Sequence, residues 1–579
     1  MIESVYISER LYGINMNYYT DKSPLRIRHL TCCALFGSIY VFGIWLYLKM
    51  NETLTPKRIK EIPVFSQNAW DDESYRIEQD LNERFSLEDI MLTQCTDALL
   101  AADPGQSKIE LNGDRLIYVG DTILFNVFLF DGYGKKKYVG GDHLRARLFN
   151  DSIKAYTNGH ITDHRNGTYT VQLDAIWSGV THLEVELLYT REVIAAMLRL
   201  RRDWHFRDVR AIFTRFNISE STHCNSDDLT LKDDTGYSSL CNLFYWNSTM
   251  PWFCVKPKYR NLSCTDLSFY THNWLGYVKT LNRCELRLAN RKLFTIGKII
   301  SITIYSTSRS KRQASFDLQT TPCTKYSRKK LWVLKNSTGY FYNGTWILRH
   351  CKGELKSVGE CLRNTTLYFW GDSTLRQWLY YFQSHYLFLG CTIIYPEGKG
   401  FFKRIQAYCK QYNLLLIYIP HNIPAAAARD SNTNITFANT LPDQLNCSKS
   451  TGKRILVIHL YAHIQLQSIK FFIANMLSVR RYLEQLKDCV FRIFIKLPHT
   501  HREERYETWT IRQPDYIGFL YTFIIREVLH GLRQKVIPLN NRDATIATKN
   551  KDLHPNTMLV SAMVETFLNY ICDDRRERH

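Results

Sequence analysis

Phe369-Trp370-Gly371-Asp372-Ser373-Thr374-Leu375-Arg376-Gln377-Trp378 is the stretch that decides how this chain folds. The apolar run 366–370 reads as a buried strand and passes into Gly-Asp-Ser without a spacer. Leu375, Trp378, Leu379, Phe382 and Tyr386 then recur at helical spacing. This places Ser373 at the carboxyl end of a strand and at the start of a helix. Its backbone N–H has no intrahelical acceptor there, and the helix dipole favours negative charge, so the position suits a nucleophile whose own N–H stabilises an oxyanion. Gly371 permits the tight turn. Asp372 and Ser373 are also good N-cap residues, and capping alone accounts for that pair at a helix start.

The same rhythm continues downstream. Apolar runs at 414–419, 455–460, 490–497 and 535–539 read as further buried strands, and Ile469, Phe472, Ile473, Met476, Leu483 and Leu486 as a helix face between two of them. Alternating strands and amphipathic helices imply a parallel sheet with helices on both faces, its chemistry at the carboxyl edge. A serine needs a base, because its hydroxyl is unreactive at neutral pH. His554, in Lys551-Asp552-Leu553-His554-Pro555 just before a final helix over 556–571, can reach that edge; Asp552 or, as second choice, Asp543 would orient it. His459 and His463 are four apart but begin in a strand, which argues against a metal-binding helix face. His499 and His501 either line the cleft or are plain loop residues. Lys449-Ser450-Thr451-Gly452-Lys453 lacks the leading glycine and trailing hydroxyl of a phosphate loop.

Upstream the period falls to two. Leu144, Ala146 and Leu148, then Tyr169, Val171 and Leu173, then Leu183, Val185 and Leu187 alternate with polar residues. Asn166-Gly167 between two such runs signals a hairpin. A β-sandwich of about one hundred residues fits. Residues 201–330 are irregular and cysteine-rich, and contain the dibasic Arg309-Ser310-Lys311-Arg312. Lys135-Lys136-Lys137 follows a turn and reads as a solvated hairpin tip or a contact for acidic glycans. Residues 49–85 read as a polar stalk. Residues 30–48 are uncharged and long enough to cross a bilayer, so they read as a signal anchor with a cytosolic tail, 1–29, before it.

The 579 residues carry a formal net charge of +20 and are 45% hydrophobic, which excludes a mainly disordered chain. Sixteen cysteines, fourteen of them scattered from Cys95 to Cys572, suit an oxidising compartment with up to seven disulfides. N-x-[S/T] sequons from Asn51 to Asn446 are in excess of composition. Glycosylation and disulfides together argue against nucleic acid as partner, and leave acidic glycans or glycoproteins for the positive charge.

With these residues in hand, the chain resembles the neurexophilin and PC-esterase domain family. Asn166-Gly167-Thr168-Tyr169-Thr170-Val171 and Trp177 resemble its filamin/immunoglobulin-like β-domain, the Cys323 to Cys351 segment resembles the region before its esterase domain, Gly371 to Trp378 resembles its nucleophile block, and 536–572 its C-terminal block. The resemblance implies a β-sandwich over 86–200, a connecting region over 201–330, an SGNH/GDSL-like α/β domain with a parallel sheet over 331–572, and a tail over 573–579. It further implies Ser373 as nucleophile, His554 as base, and Arg376 as an anchor for the block or for an anionic substrate. Gly371, Asp372, Tyr461 and His463 would support the oxyanion region. Relatives act on acyl esters of glycans, and some transfer acetyl groups to sugars, sialic acid among them. That implies a lumenal Golgi O-acetyltransferase or acyl esterase, a single-pass type II membrane protein with a secreted form as the other option. No cofactor would be bound; acetyl-CoA is the acyl donor if the reaction is transfer. The other reading is a catalytically inert binding glycoprotein, membrane-bound or released by cleavage after Arg312, whose β-domain meets a cell-surface protein. Two departures bear on the choice. Lys551 stands where the pattern has an Asp three residues before the histidine. Tyr461 stands where the family has a glycine, and its side chain there would obstruct a second oxyanion donor, worth about 3–4 kcal/mol.

Overall fold

The computed structural model describes residues 67–572 apart from 114–115, 204–206, 226–239, 244–251, 275–280, 307–320, 335, 354, 356, 397, 399–402, 422–444, 446–451, 487–489 and 502–508. The expected anchor at 30–48, the dibasic site at 309–312 and the tail at 573–579 lie outside these. Among the described residues no helix is long and apolar enough to cross a membrane. The type II membrane placement is therefore corrected: the structure gives it no support, and a secreted form is compatible with what is described.

The strand Thr365–Gly371 lies inside a seven-stranded sheet in the order 391–394, 405–409, 414–420, 365–371, 453–459, 492–496, 536–539. The last five of these are parallel, and the first two form an antiparallel margin. In chain order the parallel strands run second, first, third, fourth, fifth, so the sheet reverses direction of growth beside Thr365–Gly371. Such a switch point opens a crevice at the carboxyl edge. Alternation along the strand shows why its run is continuously apolar: Leu367 and Phe369 enter one core with the helices Ser373–His385 and Thr557–Asn569. Tyr368 and Trp370 enter the opposite core with Ile469–Gln485 and Asp515–Val528. Burial on both faces contributes about 1.5–3 kcal/mol per large apolar side chain.

A four-stranded sheet (108–112, 122–128, 168–174, 160–163) faces a second seven-stranded sheet (345–348, 339–342, 155–158, 143–150, 179–189, 300–305, 117–118). Phe125, Val127, Tyr169 and Val171 pack against Leu144, Leu148, Leu183, Val185 and Trp177 between them. Three of these strands, 300–305, 339–342 and 345–348, come from outside 86–200. Ile300–Tyr305 pairs with Gly179–Tyr189, and Phe341 of Gly339–Tyr342 pairs with Tyr156. The divisions at 200 and 330 therefore cut through one sheet, because the strands 207–215, 218–225, 240–242, 253–255 and 267–274 form their own antiparallel sheet before the chain returns. At the hairpin near Asn166, the left-handed residues are Arg165 and Gly167 (φ 60° and 76°), and a Cβ on Gly167 would lie 2.1 Å from the Lys137 carbonyl oxygen.

The polar stalk is also corrected over its last part. Gln67–Phe85 is a helix whose Ile77 and Leu81 are buried, with the Phe85 ring 4.6 Å from that of Phe523. Three apolar residues at i, i+4, i+8 make a narrow stripe that the surrounding charge hides. Six disulfides are described: Cys95–Cys284, Cys224–Cys254, Cys241–Cys264, Cys323–Cys351, Cys361–Cys572 and Cys391–Cys409. Cys447 and Cys489 lie outside the described residues.

Candidate active site

Two loops meet at the carboxyl edge of the parallel sheet. One is the turn from Thr365–Gly371 into Ser373–His385. Gly371 is needed here, since a Cβ would come within 2.3 Å of the His459 carbonyl oxygen on the adjacent strand. Asp372 caps the helix: its Oδ1 accepts from the Thr374 N–H at 2.9 Å and from the Thr374 hydroxyl at 2.7 Å. Its Oδ2 accepts from the Ala462 N–H at 3.0 Å, across the switch point. The cap thus also ties the serine turn to the loop after Lys453–His459. Ser373 follows as the first helical residue, half-buried, with its N–H among those a helix start leaves without an intrahelical acceptor.

The other loop precedes Thr557–Asn569 and carries His554. Its Nε2 lies 2.8 Å from Ser373 Oγ, a hydrogen bond closed across 181 residues of sequence. His554 is exposed, and its flanks are pinned. The His499 Nε2–H donates to the Leu553 carbonyl at 2.8 Å and Gln377 Nε2 to the Pro555 carbonyl at 3.3 Å. Asn550 Nδ2 reaches the carbonyls of Thr500 and Asp552, both at 2.8 Å.

The electrostatics assign the carboxylates differently from the sequence reading. Desolvation lowers the His554 pKa below 6.5; Asp372 opposes this, Arg376 and Lys496 reinforce it, and Asp552 opposes it least. Asp552 acts on His554 through its charge rather than through a described hydrogen bond, so the carboxylate that most favours the imidazolium is Asp372. Asp372 itself is fully enclosed. Burial raises its pKa, but His459, Lys496, His463 and His421 together hold it well below the usual carboxylate range. Asp543, the second choice as orienter, is elsewhere: it accepts from the Thr338 N–H and hydroxyl, each at 2.8 Å, and from Asn158 Nδ2 at 3.2 Å.

Sequence reasoning missed Lys496. Only 1% exposed, it donates from Nζ to the Thr374 hydroxyl oxygen at 2.8 Å, and burial pushes its pKa down to about 8 while Asp372 pulls it up. No local signal marks it beyond a cation at the end of an apolar strand. His499 and His501 are likewise interior, not cleft residues (0% and 2% exposed), and burial pushes His501 down to about 4. His459 donates from Nδ1 to the Lys496 carbonyl at 2.7 Å, and burial pushes it down to about 3, so it is neutral.

Tyr461 does not obstruct the crevice. Its side chain is fully buried, and its hydroxyl donates to the His499 carbonyl at 2.9 Å and lies 3.0 Å from His501 Nδ1. Gly518 leaves room for the ring, since a Cβ there would meet Tyr461 Cε2 at 2.9 Å. His463 is half-buried with Nδ1 3.0 Å from His421 Nε2, and the His421 N–H donates to the Gly371 carbonyl at 3.0 Å. Arg376 lies one turn into the helix, near enough to His554, Tyr380 and Tyr418 to bear on their protonation. Among the described residues no group of three or more potential ligands is arranged to hold a metal ion.

This arrangement can attack a carbonyl carbon: a half-buried serine, an imidazole on its hydroxyl, and a helix N-terminus for the oxyanion. Residues 346–572, which contain both loops, match the family model for the NXPE family member 4-like C-terminal domain, and residues 126–284 match the neurexophilin model. With one match over the α/β sheet and the other over the sandwich and the sheet that follows it, the chain belongs to the NXPE and neurexophilin family.

Proposed function

We propose that the protein carries out serine-dependent acyl transfer on glycans, as an O-acetyltransferase or an acyl esterase, with acidic, sialylated glycans as the substrate class. The observation that carries this reading is the 2.8 Å contact between Ser373 Oγ and His554 Nε2 at a helix N-terminus. His554 takes the hydroxyl proton as Ser373 Oγ bonds to the acyl carbon. The tetrahedral oxyanion rests against the Ser373 N–H, and collapse breaks the bond to the first leaving group, the sugar oxygen of an ester or the sulfur of acetyl-CoA, which departs with the proton from His554. Water or a sugar hydroxyl then takes the acyl group by the reverse steps. In the transfer case acetyl-CoA is the donor, used as substrate. The net charge of +20 and Arg376, half-buried one turn after Ser373, favour an anionic acceptor.

The test is acetate release from O-acetylated sialoglycans, and acetyl transfer to their de-acetylated forms from acetyl-CoA, by wild type beside Ser373→Ala. Either activity, lost on substitution, supports the proposal. Absence of both in folded protein, with capture of a cell-surface protein unaffected by Ser373→Ala, supports the inert binding glycoprotein that the neurexophilin match over 126–284 favours.

A further inference from the structure

The loop that carries His554 begins at Lys549, five residues earlier, which leaves the helix Arg542–Ala547 with a left-handed φ of 54°. A lysine holds that conformation only where its surroundings enforce it. Its ammonium crosses to the sandwich strand Gly179–Tyr189 and lies 2.6 Å from Glu184 Oε1 and 2.8 Å from Glu186 Oε1. These carboxylates are 3% and 6% exposed, so they need counter-charges. Glu184 has a second one, Arg147, whose Nε donates to it at 2.8 Å, and Thr295 Oγ1 donates at 3.0 Å. Arg147 also donates from Nη1 to the Ala547 carbonyl at 3.4 Å, the last residue of the same helix. The sandwich therefore grips the start of the loop through charge, while Asn550, His499 and Gln377 hold its later carbonyls from the α/β side.

We propose that Glu184 and Glu186 are positioning residues for the base: by clamping Lys549 they fix the loop that carries His554, which makes the β-sandwich part of the acyl-transfer site. This rests on the Ser373–His554 reading above. The described hydrogen bond of the imidazole is the one to Ser373, and the contacts that hold its loop run to the backbone on either side of it, so its placement depends on the loop backbone. A displacement of about 1 Å at such a base lowers the rate on the order of 10²-fold.

The experiment measures the kinetics of fluorophosphonate labelling of full-length, disulfide-intact protein as wild type, Lys549→Ala, Lys549→Arg and Glu186→Gln. The expected result for Lys549→Ala is a maximal labelling rate constant lower by about 10–100-fold, with unchanged half-saturating probe concentration. Lys549→Arg restores most of the rate. A purely structural role would instead reduce the fraction of protein that labels while the folded remainder labels at the wild-type rate; that result overturns the inference. If Lys549→Ala does not fold, Glu186→Gln carries the test, since it leaves the Arg147–Glu184 pair intact: a several-fold lower rate constant supports the clamp, an unchanged one overturns it. Wild type that labels beside an unaffected Lys549→Ala overturns this inference alone, whereas wild type that does not label overturns the serine reading and this with it.

Discussion

The two loops that meet at Ser373 and His554 are built on opposite principles. The serine turn is held by its immediate neighbours: Gly371 against His459, and Asp372 on Thr374 and Ala462, all within one sheet and its edges. The histidine loop is held from far away in sequence, by Glu184 and Glu186 of the sandwich and by His499 and Gln377. The nucleophile is therefore placed by its own strand, turn and helix together with the adjacent parallel strand, while its base is placed by elements from across the fold. The proton-acceptor geometry is the part most exposed to damage at a distance.

The largest expected effect removes the contact between the loops. Ser373→Ala or His554→Ala should lower aryl-acetate hydrolysis on the order of 10⁴-fold, with the unfolding midpoint unchanged, as both side chains lie at the surface edge. Equal loss of thermal stability would show the pair to be structural. Next comes the serine turn itself. Gly371→Ala forces backbone apart at the His459 carbonyl and should destabilise by about 1–3 kcal/mol, read by denaturant melts. A smaller effect separates the buried charges. Because desolvation at the sheet edge, with Arg376 and Lys496, lowers the His554 pKa, the hydrolysis rate should rise with pH to a plateau with its half-point below 6.5, the neutral imidazole being the active form. Asp372 raises that pKa and Lys496 lowers it, so Asp372→Asn should move the half-point down and Lys496→Met should move it up. Shifts of the same sign in both would break the assignment. Smallest is His499→Phe, which removes one hydrogen bond to the loop at Leu553 and should cost about 1 kcal/mol, roughly fivefold in rate.

The same contrast explains what the sequence could tell. The strand and helix around Gly-Asp-Ser were legible because burial on both faces writes a continuous apolar run and the helix writes its own period. His554 could be named only by its place before the last helix and by resemblance; its distance to Ser373 depends on five parallel strands in register. Asp552 drew attention through proximity in sequence, whereas Asp372, adjacent to the serine and read as a cap, acts more strongly on the imidazole. Lys496 left no local trace, and His499 could be read only as a cleft or loop residue, because a buried cation and a neutral histidine at strand ends look like ordinary loop residues. The division of the chain misled at 200 and 330 because strands Ile300–Tyr305 and Gly339–Tyr342 return to a sheet begun two hundred residues earlier, which no short-range pattern records.

That return also bears on the idea of a released β-domain. Among the described residues no disulfide joins the chain before 307 to the chain after 320. Even so, the two sides share a seven-stranded sheet and a buried cluster in which Asp515 meets His143 at 3.0 Å, Arg145 at 2.8 Å and Arg542 at 2.6 Å. Separation would strand these charges, and breaking such a cluster costs several kcal/mol.

The most direct measurement of the central claim is the intact mass and peptide map of the purified, disulfide-intact protein after fluorophosphonate treatment, beside His554→Ala. The account predicts one phosphonyl adduct on Ser373 in wild type and none in His554→Ala. An unmodified wild-type protein, or an adduct on Ser373 that forms equally fast without His554, would contradict it.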